Sequence, residues 1–125
     1  MKKTTNSQQI NLSPPEELYS LGHAVETLVV SDHSCNEVYF KIFEIQSLKN
    51  LREIIIGNTC FVHTTSFKLK QLPNLEKLII GDKSFVEENS DSGDSFSIKN
   101  CKKLREIDIG SLSFKNYNFE IESKF

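Results

Sequence analysis

No apolar run in this chain approaches the ~20 residues that a membrane-spanning helix needs, so no membrane partner is expected. Cysteine is scarce. Cys35, Cys60 and Cys101 make an odd count with no Cys-x-x-Cys, which argues against a disulfide framework and fits a reducing compartment. Charge of one sign is also missing. Fifteen Lys and Arg stand against 17 Asp and Glu, net charge -2, without the basic stripe that nucleic-acid phosphates call for. The N-terminus, Met1-Lys2-Lys3 followed by polar Thr4 to Gln9, lacks the apolar stretch of a secretory signal. The expected location is therefore cytoplasmic, where the sequon Asn11-Leu12-Ser13 carries no meaning. What is present suits one soluble domain: 125 residues, 38% apolar and 26% charged. Residues 1–12 are expected as a flexible tail and residues 13–125 as the domain.

The informative feature is repetition. Leu51-Arg52-Glu53-Ile54-Ile55-Ile56-Gly57 returns as Leu75-Glu76-Lys77-Leu78-Ile79-Ile80-Gly81 and as Leu104-Arg105-Glu106-Ile107-Asp108-Ile109-Gly110. A degenerate earlier copy is Val25-Glu26-Thr27-Leu28-Val29-Val30-Ser31, and the starts fall 26, 24 and 29 residues apart. The long interval holds Glu87 to Gly93, which reads as a loop insertion. A second element recurs in phase: Phe43-x-Ile45-x-x-Leu48, Phe67-x-Leu69-x-x-Leu72, Phe96-x-Ile98-x-x-Cys101, with Phe119-x-Ile121 opening an incomplete last copy. A third follows the glycine as Cys60-Phe61, Ser84-Phe85 and Ser113-Phe114. A fixed period in the 20–50 residue range marks stacked architectures.

The segment L-x-x-[IL]-x-[IV]-G resembles the strand segment of the leucine-rich-repeat family, and the Ser-Phe with the following Cys or Leu resembles its BspA-like variant. The resemblance covers about residues 25 to 121. It implies a mostly β solenoid, a leucine-rich-repeat-type stack of about four coils. It implies no activity, because the family is defined by architecture. Glycine or serine stands where many members lead into an asparagine, which argues against an asparagine ladder.

Spacing fills in the local structure. Ile54 and Ile56 alternate with Glu53 and Ile55, as a half-buried strand requires. Phe67 and Leu69 alternate with Lys68 and Lys70, which predicts a second strand on the opposite side of each coil. Ser13, Pro14, Glu16 and Glu17 predict a short N-terminal helix, with Leu18 and Leu21 facing the first coil and Gly22 ending it. Its expected role is to cap the stack. The C-terminal coil shows no cap, so end-to-end association there is a further expectation.

Stacking turns repeat positions into columns, and side chains alternate between strand faces. Position five gives Val29, Ile55, Ile79 and Asp108 on the face expected to be concave and free. Strand propensity alone could place aliphatics there, but a contiguous exposed apolar row also marks contact surfaces. Position three gives Thr27, Glu53, Lys77 and Glu106, and position two gives Glu26, Arg52, Glu76 and Arg105. These alternating charges read as register-setting pairs at the rim. The expected function is a non-catalytic protein-interaction module, centred on Ile55 and Ile79 with Val29 and Asp108 beside them and Glu53, Lys77 and Glu106 at the rim. The alternatives are a structural segment of a longer array or a surface, adhesion-type repeat protein.

Chemistry finds little support. His33-x-Cys35 and Cys60-x-x-His63 offer zinc-type ligands, but the cysteines occupy repeat positions that Ser and Leu also fill. Cys60 and His63 as nucleophile and base lack a third group. Gly81-Asp82-Lys83-Ser84 lacks the first glycine of a phosphate loop. Glu87, Glu88, Asp91 and Asp94 lack calcium-loop spacing and read as a solvated loop. The phenylalanine columns read as stacked core, since a base-binding surface would add basic residues beside them. No cofactor is expected.

Overall fold

A computed structural model of the chain describes residues 8–87, 94–115 and 117–122. Among the described residues nine strands form in the order β1 (Gln8–Leu12), β2 (Val25–Val30), β3 (Ile42–Gln46), β4 (Glu53–Ile56), β5 (Ser66–Lys70), β6 (Lys77–Ile80), β7 (Asp94–Lys99), β8 (Glu106–Ile109) and β9 (Tyr117–Glu122). A six-residue 3-10 helix, Pro15–Ser20, lies between β1 and β2. From β2 onward the chain alternates between two parallel sheets, one ordered β1-β2-β4-β6-β8 and the other β3-β5-β7-β9.

This architecture corrects the expected solenoid of about four coils with a capping helix. What forms is a five-stranded and a four-stranded parallel sheet. Each repeat gives one strand to each sheet, so the period appears as pairing between equivalent segments. Leu28, Ile54, Leu78 and Ile107 align across one sheet, and Phe43, Phe67, Phe96 and Phe119 across the other. The 29-residue interval leaves that register intact. Glu88 and Asp91 of the expected acidic loop lie outside the described residues, while Asp94 is buried as the first residue of β7.

The N-terminal segment also departs from expectation. Residues 8–12, assigned to a flexible tail, form β1 and pair in parallel with β2, placing Leu12 in the core. The expected helix is a single 3-10 stretch capped by Pro14 without a side-chain hydrogen bond. Ser13 instead donates its backbone N–H to Glu17 Oε1 at 3.0 Å. Pro14 and Pro15 have no N–H to give, and six residues are too few for a self-supporting α-helix.

The core fills the space between the sheets. Phe43, Phe67 and Phe96 stack at centroid spacings of 4.8 Å, and Phe61, Phe85 and Phe114 at 5.1 and 4.6 Å. The two columns meet edge to face, as Phe67 does with Phe85 at 5.2 Å. Such pairs contribute about 0.5–1.5 kcal/mol each beyond area burial.

The turns after β2, β4, β6 and β8 are themselves in register. Asp32 Oδ1 accepts the N–H of Asn58, Asn58 Oδ1 that of Asp82, and Asp82 Oδ1 that of Ser111, each at 2.8 Å. A Cβ on Gly57, Gly81 or Gly110 would collide with these acceptors and with the backbone behind them, which is why glycine recurs there. Two residues further on, Ser113 Oγ donates to Gly81 O at 2.7 Å and accepts the N–H of Ser84 at 3.0 Å. Ser84 Oγ does the same with Gly57 O and the Cys60 N–H, at 2.9 and 3.0 Å. The Cys60 thiol takes the same donor role toward Ser31 O at 3.0 Å.

These turns require left-handed backbone at residues that are not glycine. His33, Thr59, Lys83 and Leu112 have φ of 61, 55, 60 and 66°. Such a conformation costs about 1–3 kcal/mol per residue. Hydrogen bonds between turns offset it: the N–H groups of His33, Thr59 and Lys83 reach Asn58 O, Asp82 O and Ser111 O at 2.8, 2.8 and 2.9 Å.

Candidate binding face

The outer face of the five-stranded sheet carries all seven residues singled out from sequence. β4 and β6 alternate between partly buried and fully buried positions, so Ile54 and Ile56 enter the core while Glu53 and Ile55 point outward. Val29 pairs with Ile55, Ile55 with Ile79 and Ile79 with Asp108. Val29, Ile55 and Ile79 are partly buried and Asp108 is exposed. Thr27, Glu53, Lys77 and Glu106 form the neighbouring column by the same register.

Charge organises the side of the face next to the strand starts. Glu76 accepts from Arg52 through Oε2 and from Arg105 through Oε1, both at 3.1 Å. One carboxylate thus bridges guanidinium groups from the repeats on either side of it. Lys77 approaches Glu53 at 3.9 Å. With Glu26 and Thr27, these residues line a groove of about 330 Å³. Below it, Asn74 donates to Lys49 O at 2.6 Å and accepts from Lys103 Nζ at 3.1 Å, while Asn50 donates to His23 O at 2.8 Å. The groove is therefore a row of alternating charges, fixed by neighbours, beside an aliphatic stripe.

Two contributions were missed by sequence reasoning. β1 extends the face by one strand, setting Asn11 beside Val29 and Gln9 beside Thr27. The alternation of Ile10 and Leu12 with Gln9 and Asn11 was the available signal, hidden by the polar residues before it. The two-sided role of Glu76 was visible only as alternating charge.

The residues weighed for chemistry are engaged elsewhere. His63 Nδ1 lies 3.5 Å from Glu87, which also meets Lys41 at 3.6 Å. Cys60 points its thiol at Ser31 O and Asn58 O. Cys35, Cys60 and Cys101 are buried free thiols, and burial raises the pKa of each, Cys35 up to about 12. Their thiolates are correspondingly disfavoured. Among the described residues, no group of three or more His, Cys, Asp or Glu is placed to hold a metal ion. Nor is any helix among them long and apolar enough to cross a membrane.

Comparison with protein-family models, with curated proteins and with solved structures found no match.

Proposed function

We propose that the chain is a non-catalytic interaction module that holds a protein partner against the outer face of its five-stranded sheet. The observation that carries the reading is the in-register stripe Val29, Ile55 and Ile79, ending on Asp108 and flanked by Thr27, Glu53, Lys77 and Glu106. An aliphatic stripe supplies non-directional affinity. The charged row beside it fixes register and orientation, because misplaced like charges oppose docking. Rigidity supports this: the stripe sits on strands tied by ladder bonds and by the Asp32, Asn58 and Asp82 side chains at their ends. A preformed face costs little entropy to order on binding.

The resemblance of the repeats to BspA-like leucine-rich repeats belongs to the same proposal, as does a cytoplasmic location, which the three free thiols support. The test is cross-linked capture from native lysate with wild type beside Ile55→Lys. The partner should be lost from the variant while its far-ultraviolet circular dichroism and unfolding midpoint stay near wild type. A partner retained by the folded variant would overturn the reading.

A further inference from the structure

The two edges of the four-stranded sheet are treated differently. At one edge, the 3-10 helix Pro15–Ser20 lies beside β3, Leu18 is buried, and Phe43 and Ile45 are almost wholly covered. At the other edge, Phe119 and Ile121 occupy the register positions of Phe43 and Ile45, yet remain 52% and 46% exposed. Among the described residues β9 pairs only with β7. Its outward side chains at the same register are Glu120 and Glu122.

The molecule already contains the strand that such an edge accepts. β3 reads Ile-Phe-Glu-Ile-Gln and receives β5, Ser-Phe-Lys-Leu-Lys, in parallel. Phe67 stacks on Phe43 at 4.8 Å, Leu69 pairs with Ile45, and Lys70 reaches Glu44 at 3.9 Å. β9 offers the same order, Phe119-Glu120-Ile121, with Glu122 where β3 has Gln46. Glu120 has Lys99 on its inner side at 3.6 Å and is itself 65% exposed, so its outer side is still open to a second cation.

We infer that β9 is a strand-acceptor edge, and that its occupant is a protein segment alternating aromatic or aliphatic residues with lysine or arginine, added in parallel as β5 adds to β3. Backbone ladder bonds would supply affinity, the apolar residues would cover Phe119 and Ile121, and the cations would meet Glu120 and Glu122. This surface is separate from the outer face of the five-stranded sheet.

The probe is a synthetic peptide of the β5 sequence, Thr65 to Gln71, titrated into the full chain with backbone amide exchange followed by NMR. The expected result is saturable binding with new protection confined to Tyr117–Glu122 and the strand beside it. Replacing both peptide lysines by glutamate should weaken binding by about tenfold or more. Glu122→Lys in the protein should do the same toward the native peptide and restore binding of the glutamate peptide. The peptide swap leaves the fold of the protein untouched, so it remains decisive if Glu122→Lys unfolds. Binding indifferent to both swaps, protection elsewhere, or no binding would overturn the inference. So would sedimentation showing the edge already covered by a second copy of the chain.

Discussion

The side chain of Asp32 accepts the backbone N–H of Asn58 at 2.8 Å, across 26 residues of sequence. Asn58 repeats the contact on Asp82, and Asp82 on Ser111, so a row of side chains joins four turns. The row demands glycine beside it. A Cβ on Gly81 would fall 2.8 Å from Gly57 C and 2.9 Å from Asn58 N, both backbone atoms that cannot step aside. Gly81→Ala should therefore destabilise the protein by about 2–3 kcal/mol through overpacking and a displaced hydrogen bond. Gly22 has nothing within 4 Å of its Cβ position, so Gly22→Ala should change stability by less than about 0.5 kcal/mol. Urea denaturation of the pair checks the contrast, and equal effects would remove the row as its cause.

The phenylalanine columns predict a graded response. Phe67 is fully buried, stacked between Phe43 and Phe96. Phe67→Ala should cost about 3–5 kcal/mol. Phe119 continues the same column but is half exposed, so Phe119→Ala should cost about 1 kcal/mol. Thermal or urea unfolding of the two variants measures the difference.

Thr59 combines a β-branched side chain with φ of 55°. That pairing is an outlier, whereas asparagine enters the left-handed region more readily. Thr59→Asn should stabilise the chain by about 0.5–1 kcal/mol, read as a higher unfolding midpoint. An unchanged or lower midpoint would show that the turn hydrogen bonds already relieve the strain.

Alkaline pH should weaken the fold. Burial lifts the Cys35 thiol from its ordinary 9.0 to about 12, and Cys60 and Cys101 move the same way. The hydrogen bond from Tyr39 to Glu16 lifts the Tyr39 phenol to about 12. These groups hold their protons in the folded chain after the unfolded chain has begun to lose them. Their contribution is therefore complete below about pH 9 and is lost as pH rises toward about 12. Urea midpoints at about pH 7 and about pH 10.5 should differ, the second being lower. A flat profile would contradict the burial of the thiols.

Much of this was legible in the sequence, and the failures have physical causes. Ile54 and Ile56 were separable from Ile55 because strand alternation is local and binary. Phe67 and Leu69 were separable from Lys68 and Lys70 for the same reason. Residues 8–12 were misjudged because their alternation covers only Ile10 and Leu12, behind polar Gln8 and Gln9. The expected helix failed because Glu17 binds back to the residues just before it, accepting the Ser13 N–H and donating its own to Pro14 O, which closes a single 3-10 stretch. The solenoid was wrong as an architecture because a period identifies equivalent residues without saying how the crossing segments are arranged in space. The Asp32 row escaped notice because Asp, Asn and Ser after glycine also look like ordinary turn residues. Only the parallel register shows that they meet.

One comparison separates the two outer faces as holders of the partner. Once a partner is captured, its affinity should be measured against Ile55→Lys and Ile79→Lys on the five-stranded sheet. Lys68→Glu and Ser97→Lys, charge changes on the outer face of the four-stranded sheet, serve as controls, the second matching the single positive charge added by the first pair. Affinity should fall at least about tenfold for the first pair and change little for the second, with all four variants folded. Loss confined to the second pair, or equal affinity for all four, would contradict it.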